Sequence, residues 1–304
     1  MNFNDLFIFR TVVQAGSFSK AAAELNYSQS NISMKIQNLE ELYNVTFFYR
    51  GHRGTRLTPK GEHFYEIVLK MLHLYDKSFE MLHDTGEQKG FLRIGSMETT
   101  AALHLPTLLT KFHKSYAQIE LTILTSTSME NIKRLENYEL DGAFVTGPVY
   151  KEHILAKEFI NEELVIISSN VHKRIEKLRD IENCTLITFR HGCSYRAILE
   201  HWLHEDGVQP QKRMEFGTLD GIIGCVAAGL GVTLLPRAIA EKHLATQPLA
   251  IHVLATKQTQ IPTWFIYRQD DFQPPALTNF IESIGAYQQL RQLYKLPIMT
   301  AFKD

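Results

Sequence analysis

The hydrophobic positions at the start of the chain recur with the period of short α-helices. Leu6, Phe9 and Val13 lie on one face of a first helix. Gly16 stands where that helix needs a left-handed residue to end it, and Ser17 offers a hydroxyl N-cap for a second helix of about two turns. The pattern therefore predicts two short helices in close succession.

A third helix is predicted after a tight turn. Ser28 is its N-cap, and Ile32, Ile36 and Leu39 form its apolar face. Asn44 suits its end, because Asn tolerates the left-handed conformation. Two short helices, a turn and a third helix with a polar outer face are typical of a helix-turn-helix. The alternative is that this polar face is only a solvated helix surface.

One long helix is predicted from Thr58 to about Asp84. Thr58 is its N-cap, and Pro59 occupies the first helical position, where its missing N–H costs nothing. Apolar residues with a spacing close to a heptad are Phe64, Ile67, Met71, Leu74 and Met81. A helix of this length cannot bury such a stripe within itself. We therefore predict that it pairs with its own copy in a dimer, with packing on its own domain as the alternative.

Beyond a polar hinge at residues 85–90, the pattern changes to strands alternating with helices. Strands are predicted at 91–96, 119–125, 142–146, 164–168, 185–189, 213–216, 232–235, 251–254 and 263–267. Helices are predicted near 101–115, 128–138, 195–205, 219–228 and 275–293. The alternation predicts an α/β domain with largely parallel sheets. So many strands exceed one compact sheet, so two lobes are expected.

Composition and charge narrow the class of protein. Hydrophobic residues make up 44% and charged residues 21%, as in ordinary soluble globular proteins. The net charge of −1 argues against a binder of nucleic acid over its whole surface. Residues 1–60, however, hold seven Lys or Arg against four Asp or Glu, so this segment is locally basic.

Several classes are excluded by what the sequence lacks. No apolar run reaches the roughly 18 residues of a membrane span, and the N-terminus has no signal-peptide pattern, so we predict a cytoplasmic protein without a membrane partner. The three cysteines show no CxxC spacing, so neither a disulfide framework nor a metal site is predicted. The absence of a nucleophile elbow, a P-loop or a dinucleotide fingerprint argues against an enzyme and against a cofactor.

The polar face of the third helix carries residue types that read DNA. Gln29 and Ser30 lie in its first turn, the part of a recognition helix that reaches base edges. Gln can bridge adenine N6 and N7, and Lys35 suits a phosphate. Two short extended pieces around Gly51 and Gly54 then predict a wing with arginines along it. The predicted DNA-binding residues are Ser17, Phe18, Ser19, Ser28, Gln29, Ser30, Asn31, Ser33, Met34, Lys35, Gln37, Arg50, Arg53 and Arg56.

Several segments resemble the DNA-binding region of LysR-type transcriptional regulators. They are residues 16–25, 28–33, 47–50 and 57–61, and residues 229–236 resemble a later segment of the same family. The resemblance covers essentially the whole chain. It implies an α/β fold with an all-α winged helix-turn-helix at 1–58, a linker helix and hinge at 59–90 and an effector domain at 91–304. That effector domain resembles periplasmic binding proteins, with lobe I at about 91–161 and 268–304 and lobe II at about 162–267.

The resemblance also implies partners. Family members act as dimers or dimers of dimers on interrupted palindromes of double-stranded DNA, and contact with RNA polymerase is compatible with that role. Some positions depart from the family, which usually has alanine at Asn31, arginine at Met34 and Leu-Gly at Tyr43-Asn44. Because Met34 cannot make the usual basic contact, Lys35 or Gln37 is expected to substitute for it.

Hydroxyl residues follow the ends of several predicted strands and open helices there. In a two-lobed α/β domain, strand ends and helix N-termini face the cleft between the lobes, and free N–H groups favour anions. We therefore predict a small carboxylate or similar oxyanion as effector. The predicted effector-binding residues are Ser96, Thr99, Thr100, Thr125, Ser126, Ser128, Thr146, Arg190, Gly192, Ser194, Tyr195, Arg196 and Thr218. The alternatives are that each hydroxyl only caps its helix and that Arg196 forms a structural ion pair.

Rival functions stay open at this point. A solute-binding protein or an enzyme on the same two-lobed fold explains residues 91–304 but not residues 1–57. A repressor without a ligand, whose effector domain serves only assembly, is a third reading. Cys193 lies one position from the reactive cysteine of peroxide-sensing family members. We predict an inert buried thiol there, with a redox switch as the alternative.

Overall fold

The computed structural model describes residues 2–51, 54–82, 89–147, 149–255, 257–270 and 273–294. They form two compact units. One comprises Met1–Gly86 with Asn137–Glu139, and the other comprises Glu87–Glu136 with Leu140–Asp304.

The first and third helices of the N-terminal unit end where the sequence predicts, at Gly16 and Asn44. The helices of this unit are α1 (Phe3–Ala15), α2 (Phe18–Glu24), α3 (Gln29–Tyr43) and α4 (Pro59–Leu82), with strands β1 (Phe48–Gly51) and β2 (Gly54–Leu57) before α4. Gly16 and Asn44 are left-handed, with φ of 60° and 51°. Ser17 and Ser28 accept hydrogen bonds from the first turns of α2 and α3. The predicted winged helix-turn-helix is confirmed.

The wing is held against the helices by hydrogen bonds. Strands β1 and β2 pair antiparallel, and the Thr55 N–H donates to the Gly16 carbonyl over 3.1 Å. Glu40 on α3 accepts from the backbone N–H groups of Phe47 (2.6 Å) and Phe48 (3.2 Å) through one carboxylate oxygen. These contacts set the position of the wing relative to α3.

Helix α4 divides its apolar residues between two surroundings. Thr58 accepts from the Gly61 N–H over 3.0 Å and so caps the helix as predicted. Phe64 is buried in the core of its own unit, as are two apolar residues outside the predicted stripe. Ile67 and Leu74 are 52% and 61% exposed. Part of the predicted stripe therefore packs on its own unit and part of it is exposed, and pairing of the exposed part with a second copy stays a prediction. The side chain of Met81 lies outside the described residues.

The C-terminal unit alternates strands and helices. Its strands are β3 (Gly90–Ser96), β4 (Ile119–Thr125), β5 (Gly142–Thr146), β6 (Ile154–Ser169), β7 (Thr185–Phe189), β8 (Lys212–Phe216), β9 (Thr233–Pro236), β10 (Leu249–His252) and β11 (Gln260–Arg268). Its α-helices are α5 (Glu98–Leu103), α6 (Leu105–Ser115), α7 (Ser128–Glu136), α8 (Ser194–Glu205), α9 (Leu219–Ala227), α10 (Arg237–Leu244) and α11 (Pro275–Tyr294).

The prediction of largely parallel sheets is wrong. The main sheet has the order β10-β6-β11-β5-β3-β4, with β9 also pairing with β6. Pairs β3–β4, β3–β5 and β7–β8 are parallel, whereas β6 pairs antiparallel with β9, β10 and β11, and β11 pairs antiparallel with β5. Strand β6 was predicted only at 164–168, because its first ten residues include several charged positions that obscure the strand pattern.

Two hydrophobic cores lie along β6 and define two lobes. Phe159 packs with Phe144, Phe265 and Phe280 in the first core, and residues 164–167 belong to the second. A strand that contributes to both cores joins the lobes directly.

The helix predicted at 101–115 is interrupted at His104, where α5 ends and α6 begins with a proline in its first turn.

Candidate DNA-binding face and effector cavity

The side of α3 opposite its buried stripe is open to solvent. Gln29, Ser30, Met34 and Gln37 are exposed there, and Met34 is 57% exposed. Ser19 on α2 donates from Oγ to Gln29 Oε1 over 2.9 Å, which orients the glutamine at the start of the helix. Two helices thus present one polar surface, of the shape that enters a major groove in a helix-turn-helix.

Two predicted DNA-binding residues are engaged within the unit instead. The Phe18 ring is buried and lies 5.5 Å, centroid to centroid, from the Phe48 ring, because the first residue of α2 faces the core. Lys35 Nζ lies 3.1 Å from Asp5 Oδ1 on α1. Its charge is therefore already paired, which weakens the expectation that Lys35 replaces the basic contact missing at Met34.

The remaining predicted residues of this face differ in how much they expose. Ser28 is exposed and lies 3.0 Å from Ser30, oxygen to oxygen, while Ser17, Asn31 and Ser33 are half-buried. Arg56 on β2 is exposed. The side chain of Arg50 and the whole of Arg53 lie outside the described residues. The described part of the wing therefore contributes one exposed arginine to the face.

A cavity of about 70 Å³ opens between the two lobes of the C-terminal unit. It lies where β3, β4, β7 and β8 end. The cavity is lined by Met97, Glu98, Thr99, Thr125, Ser126, Thr127, Ser128, Phe189, Arg190, Cys193, Ser194, Tyr195 and Gly217. A ligand site at the carboxyl ends of strands is the arrangement expected of an open α/β domain.

The structure brings part of the predicted effector set together at this cavity. The predicted residues that line it are Thr99, Thr125, Ser126, Ser128, Arg190, Ser194 and Tyr195. The predicted residues that do not line it are Ser96, Thr100, Thr146, Gly192, Arg196 and Thr218. Arg196 is instead ion-paired with Glu200 (3.0 Å) and Glu215 (2.6 Å), the structural role that the sequence left open. Thr218 caps α9.

Six lining residues were not predicted. They are Met97, Glu98, Thr127, Phe189, Cys193 and Gly217. Glu98 and Thr127 lie inside two hydroxyl-rich segments, residues 96–100 and 125–128, that follow predicted strands. Their position in these segments was the sequence signal that could have identified them.

A buried polar network lies beneath the cavity. Glu162 on β6 is 6% exposed, and its Oε2 accepts from Tyr195 Oη (3.2 Å) and Thr263 Oγ1 (3.0 Å). Its Oε1 lies 3.2 Å from His104 Nε2, and Thr99 Oγ1 lies 3.3 Å from Tyr195 Oη. Burial, with the charge of Glu162 second, holds the pKa of Tyr195 well above its usual value. The phenol therefore stays protonated.

The groups with free charge at the cavity are few. Within the described ranges, neither Arg190 nor Glu98 has an ion pair, although both line the cavity. Burial raises the pKa of the Cys193 thiol, which disfavours the reactive thiolate.

Also within the described part of the chain, no cluster of His, Cys, Asp and Glu is suited to a metal ion, and no helix is long and apolar enough to cross a membrane.

A winged helix-turn-helix, a long helix and a two-lobed α/β domain with a cavity together define a DNA-binding transcriptional regulator with a substrate-binding domain. The family model for the bacterial regulatory helix-turn-helix protein of the lysR family matches residues 3–62, and that for the LysR substrate binding domain matches residues 85–289. The chain belongs to the LysR family. The domain boundaries placed at 58 and 90 stay a prediction.

Known proteins agree with this assignment. The chain is 40% identical over 292 residues to the HTH-type transcriptional regulator GltR of Bacillus subtilis (strain 168), across 96% of this chain and 99% of that protein. It resembles a full-length OxyR variant from Pseudomonas aeruginosa with a TM-score of 0.71 and 22% identity, across 100% of this chain and 99% of that one. It also resembles full-length CbnR complexed with its target DNA. The TM-score is 0.66 and the sequence identity is 22%, across 94% of this chain and 100% of that one. The two structures confirm the predicted fold.

Proposed function

We propose that this protein binds a specific operator through α3 and the wing, and that a small carboxylate held between its lobes modulates that binding. The observation that carries the effector half is Arg190, an exposed arginine that lines the cavity and has no ion pair among the described residues. A free cation at a cavity favours an anionic ligand, and a planar guanidinium matches the two oxygens of a carboxylate.

Two helix N-termini add to this preference. Ser128 opens α7 and Ser194 opens α8, and both line the cavity. The N-terminus of a helix carries a partial positive charge from its dipole, although in α7 the N–H groups of Met129 and Glu130 already have acceptors within the protein. Because a water molecule needs roughly 10–15 Å³ of such space, a cavity of about 70 Å³ admits about five to seven water-sized groups. This size supports a small metabolite.

The DNA half of the proposal is supported by the exposed surface of α2 and α3. Gln29 and Ser30 are the residues in the first turn of α3 that can reach base edges, and Arg56 is placed to neutralise a phosphate. The exposed Ile67 and Leu74 on α4 support association of two copies, as an interrupted palindrome requires. Recruitment of RNA polymerase stays a prediction from the family resemblance.

The effector half is tested by thermal unfolding with small carboxylates. The chain has two tryptophans, Trp202 and Trp264, and both lie in the C-terminal unit, so their fluorescence reports on that unit. An acid at about 100 times its Kd stabilises by about 2.7 kcal/mol, or roughly 5–10 °C. Arg190→Gln should remove this shift, and Arg174→Gln, an exposed arginine outside the cavity, should keep it. A panel of acids that never moves the midpoint contradicts the proposal.

The DNA half is tested by fluorescence anisotropy on a selected operator and on random duplex at several salt concentrations. Gln29→Ala should lose about 1–3 kcal/mol on the operator and little on random DNA. Arg56→Ala should weaken both duplexes alike and reduce the salt slope by about one. If the two variants lose the same affinity on the same duplexes, the assignment of reading and positioning roles is wrong.

A further inference from the structure

The cavity contains an acidic group that a plain anion site does not explain. Glu98 lines it and is half-buried, and its carboxylate has no hydrogen bond or ion pair within the described parts of the chain. A carboxylate that faces a bound carboxylate repels it, and the repulsion is weakly screened in a partly enclosed site. The ligand is therefore expected to bring a group that offsets this charge.

The direction of the hydrogen bonds under the cavity shows what Thr99 offers to a ligand. Glu162 Oε2 accepts from Thr263 as well as from Tyr195, so the single proton of the Tyr195 phenol is donated to that carboxylate. Thr99 Oγ1, 3.3 Å from the phenol oxygen, must then donate its own proton to Tyr195. Only the lone pairs of Thr99 remain free, so it can act toward the cavity as an acceptor.

The same reasoning applies to Ser194 and separates it from Thr127. Ser194 Oγ donates to the Thr146 carbonyl over 2.8 Å, so it too offers only lone pairs to the cavity. Thr127 Oγ1 instead accepts from the Glu130 N–H over 3.3 Å and keeps its proton to donate. The lining groups whose role is fixed by their charge or by their hydrogen bonds thus form two sets. Arg190 and Thr127 can donate to a ligand, whereas Glu98, Thr99 and Ser194 can accept from one.

We propose that the effector is a small amino acid, with a protonated amine beside its carboxylate. Arg190 and Thr127 hold the carboxylate, and the oxygens of Glu98, Thr99 and Ser194 hold the ammonium group. An ammonium has three N–H donors and no acceptor, so it requires such a set of oxygens. The free charges of the cavity, one positive and one negative, match a zwitterion. This inference rests on the proposed function, since it concerns the same cavity.

The experiment compares acids that differ only in the amine, using calorimetric titration of the full-length protein. The pairs are L-alanine with propionate, L-serine with 3-hydroxypropionate, and L-aspartate with succinate. At least one amino acid should bind ten or more times more tightly than its partner acid, because buried acceptors that lose a charged donor are costly. Glu98→Gln should bring that ratio below about three, since the amide keeps one acceptor but loses the charge.

Two controls identify the cause of any change. Glu62→Gln alters an acid in the first turn of α4, outside the C-terminal unit, and should leave the ratio unchanged. The thermal midpoint of unliganded Glu98→Gln should stay within about 2 °C of the parent, because a half-exposed group contributes little to stability. A large fall in that midpoint would show that Glu98 has a structural role and would overturn its assignment.

The remaining outcomes separate this inference from the proposed function. If the partner acids bind as tightly as the amino acids, recognition of an amine is refuted while a carboxylate effector stands. If the ratio is large but Glu98→Gln leaves it unchanged, Glu98 is not the ammonium partner and the inference fails at that residue. If neither series binds, both the inference and the proposed effector class are overturned.

Discussion

The buried carboxylate of Glu162 connects the two lobes beneath the cavity, and its removal gives the sharpest test of the structure. Its oxygens face Tyr195, Thr263 and His104 at 3.0–3.2 Å. Glu162→Gln turns one acceptor oxygen into an NH₂ group that confronts donors. We expect a loss of about 3–5 kcal/mol in the free energy of unfolding, the usual cost of breaking a buried polar pair from one side. Tyr195→Phe removes one charge-assisted hydrogen bond and should cost about 1.5–3 kcal/mol.

The two changes should not add. Once the Tyr195 hydroxyl is gone, Glu162→Gln leaves one donor fewer without an acceptor, so the double variant should be less destabilised than the sum by about 1–2 kcal/mol. Urea unfolding followed by tryptophan fluorescence measures this in the C-terminal unit alone, because Trp202 and Trp264 both lie there. The slope of free energy against urea should stay the same in all four proteins.

The neighbouring glutamate provides a matched control. Glu163 is partly exposed and pairs with Arg237 through two bonds of 2.6 and 3.1 Å, and the bonded Arg237 lowers the pKa of that carboxyl. Because solvent screens this pair, Glu163→Gln should cost less than about 1 kcal/mol. The network would be refuted if Glu162→Gln and Glu163→Gln lost the same free energy of unfolding. It would also be refuted if the losses of Glu162→Gln and Tyr195→Phe added within about 0.5 kcal/mol in the double variant.

Three further predictions follow from other parts of the molecule. Met34→Arg adds a positive charge to the exposed face of α3, so the slope of log affinity for random DNA against log salt concentration should steepen by about one. Met34→Gln should leave that slope unchanged. Equal slopes for the two variants would show that residue 34 does not contact the DNA. Ile67→Asp should weaken subunit association through α4, measured as a shift toward monomer in light scattering, and an unchanged mass would exclude Ile67 from the interface. His252 Nδ1 accepts from the Ile175 N–H over 3.1 Å, its Nε2 bonds Ser168 over 2.8 Å, and burial lowers its pKa below 6.5. Since the folded state favours the neutral ring, its contribution is complete above about pH 6.5 and is lost as pH falls from there through the lowered pKa. Urea midpoints at pH 7.5 and 5.5 should therefore differ less in His252→Gln than in the parent, and equal differences would refute this role.

The helix-turn-helix could be read from the sequence because its signals are local. The hydroxyl caps at Ser17 and Ser28 and the left-handed ends at Gly16 and Asn44 each act within one turn of chain. The apolar stripe of α3 has the period of the helix that buries it. Such features need no information about distant residues, and the structure confirms them.

The effector cavity could be read only in part. The sequence predicted hydroxyl residues at strand ends, and six of them line the cavity together with the predicted Arg190. It could not show that Arg196 forms an ion pair with Glu215, or that Lys35 forms one with Asp5, since those partners lie in other elements. It also missed the first ten residues of β6, because their antiparallel partner β11 comes about 100 residues later in the chain.

What the sequence determined by itself, then, is the helix-turn-helix, the capped long helix and the alternation that makes the second unit α/β, because caps and hydrophobic periods act over a few residues. The tertiary structure alone decided which polar groups are free. Chain segments far apart in sequence meet at Glu162 and at the cavity, and their hydrogen bonds use up some protons and charges, while Arg190 and Glu98 have no ion pair among the described residues. Hydrogen-bond direction depends on every partner at once, so no single segment of sequence contains it.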